Sequence, residues 1–267
     1  YKATFAEECA NRDYRLAQTM RTPGFTRAGG TVHYAPDLVF SKTGYQPVKW
    51  LYDRNDLDEI NSATFTDVPL MRYAEILLDY AEAKAELNAC NEEVWNKTIK
   101  LLRERSGVTS IYPTSADPYM VQYFLNTVTD PVILEVRRER GIEMTMENIR
   151  QQDVRRWHMG ELLIKQKTGM WIPEIETDLD LDGDGTPDNI VSAVLTEKAG
   201  MKVLTINVDG KTQKSGLNHR LSEGDHGYIL PYQANRAQYS WSEKKYLYPV
   251  PSPTVTFNDN LDQNPGW

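Results

Sequence analysis

The sequence has only two cysteines, Cys9 and Cys90. A disulfide scaffold needs more, and a cysteine-based zinc site needs closer spacing, so both read as free thiols. No apolar run approaches the ~18–20 residues of a membrane span; the stretch around Met71 is interrupted by Arg72 and Glu75. There is no basic excess either: 30 Lys and Arg face 38 Asp and Glu, for a net charge of −8. Neutralising a phosphate backbone or docking on an anionic lipid surface needs the opposite balance, so nucleic acid is not expected as a partner. The four histidines, His33, His158, His219 and His226, form no H-E-x-x-H pair, and each reads as a surface or packing residue. Nucleophile-elbow, P-loop and dinucleotide motifs are missing as well. Positive evidence for catalysis is therefore lacking, although a carboxylate pair assembled in space, as in glycoside hydrolysis, leaves no spacing to read. The chain starts at Tyr1 with neither Met nor a basic-then-apolar leader, which predicts processing or a fragment.

What is present is enough for a packed core. The chain has 267 residues, 40% hydrophobic and 25% charged, which suits one large domain or two ordinary ones. Three regions differ in texture. Residues 1–66 read as loop-rich, broken by Gly24, Gly29, Gly30, Pro36, Gly44 and Pro47. Residues 67–168 read as a helical scaffold. Asp67 is an N-cap with Pro69 in the first turn, and Leu70, Ala74, Leu77, Leu78, Ala81 and Ala85 make an apolar stripe to about Asn88. A second helix spans 92–106, stopped by Gly107, and the two form an antiparallel hairpin of tetratricopeptide type. Further helices are expected over 118–128, over 131–148 after Asp130-Pro131, and over 150–167. Residues 169–267 read as loop-rich again, with a small hairpin within 191–208. The fold class is mainly α, with long irregular loops and a minor β element.

One loop carries a distinct chemistry. Asp178, Asp180, Asp182, Asp184 and Asp188 alternate around Gly183 and Gly185. Such spacing can wrap oxygens around a hard cation, and Ca²⁺ takes six to eight of them. In the better register the ligands are Asp180, Asp182, Asp184, the Thr186 carbonyl and Asp188, with Gly185 at the sharp turn. The twelfth position holds Val191 instead of a bidentate Glu, so the site is expected to be structural and weak, on the order of 10⁻⁴–10⁻³ M. The alternative is an ordinary solvated acidic turn. With Glu174 and Glu176 the segment holds seven acidic residues and no Lys or Arg; the rest of the chain has 31 acidic against 30 basic residues.

Three stretches together carry a family resemblance. They are Val68 to Leu87, Arg137 to Trp157, and the tail pieces Tyr246 to Pro251 and Gln263 to Trp267. Asn11 to Leu16 and Gly44 to Trp50 fit the same pattern, while Asn148 stands where glycine is more usual. This resembles the SusD/RagB family of nutrient-binding outer-membrane lipoproteins of Bacteroidetes-type bacteria. The resemblance implies a protein of about twice this length, whose N-terminal half and lipidated cysteine are not in this chain. It implies a surface-exposed lid over a TonB-dependent SusC-like transporter, binding glycans or peptides and not acting as an enzyme. A helical protein-interaction scaffold and a hydrolase remain the rival readings.

Most motif residues read as scaffold. Arg72, Glu75 and Glu82 belong on the face opposite the apolar stripe, and Arg137, Arg138, Glu139, Arg140 and Glu143 suit helix-surface ion pairs. Asp153 and Arg156 suit a pair, with Trp157 as a core anchor; Trp50 and Trp267 are expected to pack. Sugars are recognised by aromatic faces and polar side chains, so the loop aromatics Tyr34, Tyr45, Tyr52, Trp171, Tyr232, Tyr239 and Trp241 are the ligand-contact candidates.

Overall fold

The structure is a computed structural model, and it describes residues 4–50, 69–195, 197–208 and 218–267. The N-terminal region holds two short helices that the glycine-rich reading passes over. Helix α1 (Phe5–Cys9) is closed by a capping box between Thr4 and Glu7, and α2 (Tyr14–Thr19) is capped by Asp13.

The helical scaffold starts later than expected. Helix α3 spans Tyr73–Glu86, because Arg72 is extended, at φ −134° and ψ 158°. Leu70 is therefore outside the stripe and 98% exposed, and Asp67 lies outside the described residues. The rest of the stripe is buried as read: Ala74, Leu77, Leu78, Ala81 and Ala85. The opposite face is not wholly polar, since Tyr73, Ile76 and Tyr80 form an exposed row and Glu82 is buried.

The second helix is two. Helices α4 (Glu92–Lys97) and α5 (Ile99–Arg105) are separated at Thr98, whose φ of −129° and ψ of −90° interrupt the ladder. Both pack back on α3. Helix α6 (Pro118–Tyr123) is shorter than expected because Leu125 and Asn126 turn left-handed. Helix α7 (Pro131–Glu143), capped by Asp130 as expected, is shortened by left-handed Met146 and Asn148. The last expected helix divides into α8 (Arg150–Arg156) and α9 (Glu161–Ile164), with His158 left-handed between them.

Helix α7 is the axis of the scaffold, and the surface-pair expectation fails there. Arg137, Glu139, Arg140 and Glu143 are buried. Their partners come from other elements: Arg15 reaches Glu139 at 2.6 Å, Arg103 reaches Glu139 at 2.8 Å, and Arg140 reaches Asp153 at 2.8 Å. Arg156 pairs with Asp153 as expected and also grips Glu82 at 2.6 Å, where the Trp157 indole donates as well.

The remaining third holds two three-stranded sheets. In the first, β1 (Trp171–Ile172) and β5 (Arg220–Leu221) flank β6 (Gly227–Leu230), all antiparallel, with Trp171 opposite Tyr228. In the second, β2 (Asp178–Leu179) runs antiparallel to β3 (Asn189–Ser192), which pairs in parallel with β4 (Lys202–Thr205). The expected hairpin is thus replaced by a parallel pair. Leu38, Met170, Ile172, Val191, Leu204 and Ile229 make the core here, joined by Phe5 of α1. The tail adds 3₁₀ turns at Gln233–Gln238 and Glu243–Tyr246, then α10 (Ser252–Phe257). Trp50 and Trp267 remain 41% and 46% exposed; each donates its indole N–H to a backbone carbonyl and carries a lysine ammonium over its ring. Among the described residues, no helix is long and apolar enough to cross a membrane.

Candidate functional site

The acidic loop joins β2 to β3. It can turn back on itself because Gly183 and Gly185 adopt φ of 79° and 90°, where a side chain is strained. The Asp180 carboxylate accepts the Gly183 and Gly185 amides at 2.7 and 2.9 Å. Asp188 accepts the Leu181 amide at 3.1 Å. Asp182 is 3% exposed, and its carbonyl accepts the Gly24 amide at 2.7 Å, so the loop is pinned to the N-terminal region.

Asp180, Asp182 and Asp188 each bring one carboxylate oxygen within 4.8 Å of the others. Burial pushes the Asp188 carboxyl above its ordinary value; the Leu181 amide opposes this, and the Asp182 charge adds to it. Three carboxylate oxygens at such spacing can meet one hard cation, and Ca²⁺ would need further oxygens to reach six to eight. Asp184 is not part of this group: it is exposed, and its carboxylate accepts the Thr186 amide at 2.7 Å. Of the four expected carboxylates, three therefore converge and Asp184 lies apart.

The aromatics sort into packed and presented. Tyr34 shares a cleft of about 240 Å³ with Asp182 and Asp188, but Arg21 and Arg27 sit 5.8 and 5.4 Å from its ring. Tyr45 packs on the sheet core and donates its hydroxyl to Glu8 at 2.8 Å. Trp171 meets Tyr228 edge-on at 5.0 Å. Trp241 lies on Gly160 and meets Tyr246 at 5.1 Å. All four are engaged by the protein itself. Tyr52 lies outside the described residues.

Tyr232 and Tyr239 are also met by neighbours, the His219 ring at 5.1 Å and the Arg236 guanidinium at 5.7 Å, but they differ in exposure. They are 46% and 54% exposed, and both line a cleft of about 200 Å³ with Lys165, Gln166, Lys167 and Arg236. Tyr232 is held left-handed, at φ 56° and ψ 42°, a conformation that costs a bulky residue about 1–3 kcal/mol. Its amide donates to His219 Nδ1 at 3.2 Å. Burial holds the His219 pKa below its ordinary value, which keeps the imidazole neutral and able to accept. Gln233 donates to Gln166 Oε1 at 3.2 Å and so ties the loop to the segment after α9. The strained tyrosine is thus braced from two sides.

A larger cavity, of about 750 Å³, lies among α6, α7 and α8, with Tyr119, Tyr123, Met144 and Arg150 on its walls. The sequence reading misses it. The available signal is the pair Tyr119 and Tyr123 at i, i+4, which reads equally well as helix packing.

A family model described as the SusD family matches residues 1–267. No curated protein matches the chain. Among solved structures, the chain is similar to a SusD-like protein from Bacteroides fragilis NCTC 9343, with a TM-score of 0.57 and 22% identity over 97% of this chain and 40% of that one. It thus spans about two-fifths of the length of that relative. A second structure, the selenomethionine form of BT4246, has a TM-score of 0.44 and 20% identity over 77% of this chain and 25% of that one.

Proposed function

The chain belongs to the SusD family, and from that premise we propose that it captures an oligosaccharide at the cell surface and hands it, uncleaved, to a TonB-dependent SusC-like transporter of the outer membrane. The observation that carries this reading is the pair of exposed rings, Tyr232 and Tyr239, in one cleft with hydrogen-bonding side chains. A ring face stacks on the C–H surface of a sugar, while amide and cationic groups orient its hydroxyls. No acidic residue stands among the described residues lining that cleft, so it offers no carboxylate pair for glycoside hydrolysis. In the same reading the protein is held to the membrane by a lipidated cysteine other than Cys9 and Cys90. The remainder of the family fold then contributes further ligand contacts.

We propose as well that Asp180, Asp182 and Asp188 hold a structural calcium ion. It would cancel like charge where the acidic loop meets the N-terminal region.

Affinity electrophoresis of the whole protein in glycan-containing gels tests the main reading. Retardation by at least one glycan is expected, with the recovered glycan intact by mass. Tyr239→Ala should weaken retention about tenfold, ~1.4 kcal/mol. Retention by no glycan would refute the capture role, and glycan fragments would replace it with a hydrolase.

A further inference from the structure

The tyrosine cleft and the helical cavity are neighbours. Leu163 lines both, and Lys165 lines the cleft while its ammonium lies 5.3 Å from the ring of Tyr123, a wall of the cavity. Their charges are alike. Lys165, Lys167 and Arg236 line the cleft, and none of them has a carboxylate partner among the described residues: the Lys167 ammonium donates to the Leu162 carbonyl and Arg236 lies over the Tyr239 ring.

In the cavity, Arg137, Arg138 and Arg140 are each committed to acids elsewhere, through Glu86, Glu135 and Asp153. Arg150 is not. Its Nη2 donates to the Tyr123 hydroxyl at 3.0 Å, the rings of Tyr123, Phe124 and Trp157 surround it at 5.2–5.9 Å, and its buried Nη1 has no hydrogen-bond partner among the described residues. Leaving a buried cationic donor unmet is unfavourable, and an incoming oxyanion would meet it. Asp153 also lines the cavity, but its carboxylate is taken by Arg140 and Arg156, and among the described residues no ion pair joins a carboxylate to any of these four cations.

We propose that the two compartments form one site for an anionic oligosaccharide, its acidic groups set against Arg150, Lys165, Lys167 and Arg236 and its ring faces on the tyrosines. This rests on the glycan-capture reading and names the class of glycan. Carboxylate of a uronic acid and sulfate ester share the chemistry these cations recognise.

Titration calorimetry on the whole protein separates the outcomes. The probes are an oligogalacturonate, a chondroitin sulfate oligosaccharide, a neutral xylo-oligosaccharide of equal length, and an oligoglutamate peptide. At least one charged glycan is expected to bind about tenfold tighter than the neutral one at low salt, and the advantage should shrink as salt rises to about 0.5 M. Whether the uronate or the sulfated glycan binds tighter then identifies the acidic group.

Lys165→Gln and Arg236→Gln should each lower affinity for the charged glycan about three- to tenfold more than affinity for the neutral one. Lys165 is exposed and Arg236 half-buried, and melting curves by circular dichroism will verify the fold. Neutral glycan binding as tightly as charged, or both variants weakening the two glycans equally, would overturn the anionic assignment while leaving glycan capture intact. Binding of oligoglutamate alone would overturn both in favour of an acidic peptide ligand.

Discussion

Glu143 shows what a single residue does in this scaffold. Its side chain is 2% exposed and takes guanidinium groups from Arg15 at 2.9 Å, Arg72 at 2.5 Å and Arg105 at 2.6 Å. Burial alone would raise its pKa; the hydrogen bonds from Arg105, Arg72 and Arg15 outweigh that and hold it below the ordinary 4.5. Glu82 and Glu147 are lowered in the same way, against burial, by Arg156 and by Arg72 with Lys49. A carboxylate whose folded pKa is depressed contributes stability that is present above its unfolded value and lost as pH falls through the folded one. The melting temperature should therefore be nearly flat above about pH 5 and fall steadily below about pH 4.5. Glu143→Gln should cost about 3–5 kcal/mol in chemical denaturation and flatten part of that acid slope, since it leaves three guanidinium groups under-neutralised. A full-height acid slope in the variant would show that Glu143 does not carry it. None of this was legible beforehand. Charges at i, i+3 and i+4 look the same whether a helix face meets water or other helices, and Arg15 is 124 residues from Glu139.

At the scale of elements, helix existence was legible within residues 67–168 and helix ends were not, while α1, α2 and α10 fell in stretches read as loop. The stripe of α3 and the Asp130 cap of α7 are local patterns, and both hold. The endings depend on single residues turning left-handed, such as Met146 and His158, that carry no glycine to announce them. Gly160 is a different case, because its role depends on another element. Its φ of −57° suits any residue, yet an added Cβ would lie 1.7–2.2 Å from the Trp241 indole. The glycine is there so that the late loop can lie flat on α9, where Tyr246 also accepts the Gly160 amide at 2.9 Å and stacks on His158. Gly160→Ala should then cost about 1–3 kcal/mol and shift tryptophan emission to the red as Trp241 is displaced. A Gly160→Ala/Trp241→Ala double-mutant cycle distinguishes this from a general helix effect. Coupling of at least ~1 kcal/mol is expected, and additive losses would refute the contact.

Across the whole molecule, legibility tracks distance along the chain. The acidic loop is contiguous, so spacing alone named four carboxylates, of which Asp180, Asp182 and Asp188 converge and Asp184 does not. The tyrosine cleft is built from residues 163–167 and 231–239, two segments that no periodicity connects, and the helical cavity is the space left by three packed helices. The loop also has the furthest structural reach: it links β2 to β3 and, through Gly24, the N-terminal region. A cation there should therefore stabilise the fold as a whole and not one turn. With a dissociation constant near 10⁻⁴–10⁻³ M, about 10 mM Ca²⁺ would contribute ~1.4–2.7 kcal/mol. That corresponds to a rise of about 3–10 °C in melting temperature, reversed by chelator. Asp182→Asn is the decisive variant because the two effects of the substitution oppose each other. It removes repulsion from Asp180 and Asp188, so without calcium it should melt no lower than the parent; it removes a ligand, so with calcium it should fail to gain. If sodium chloride of matched ionic strength stabilises the parent as much as calcium does, or if Asp182→Asn still responds to calcium, the loop is a screened acidic turn and not an ion site.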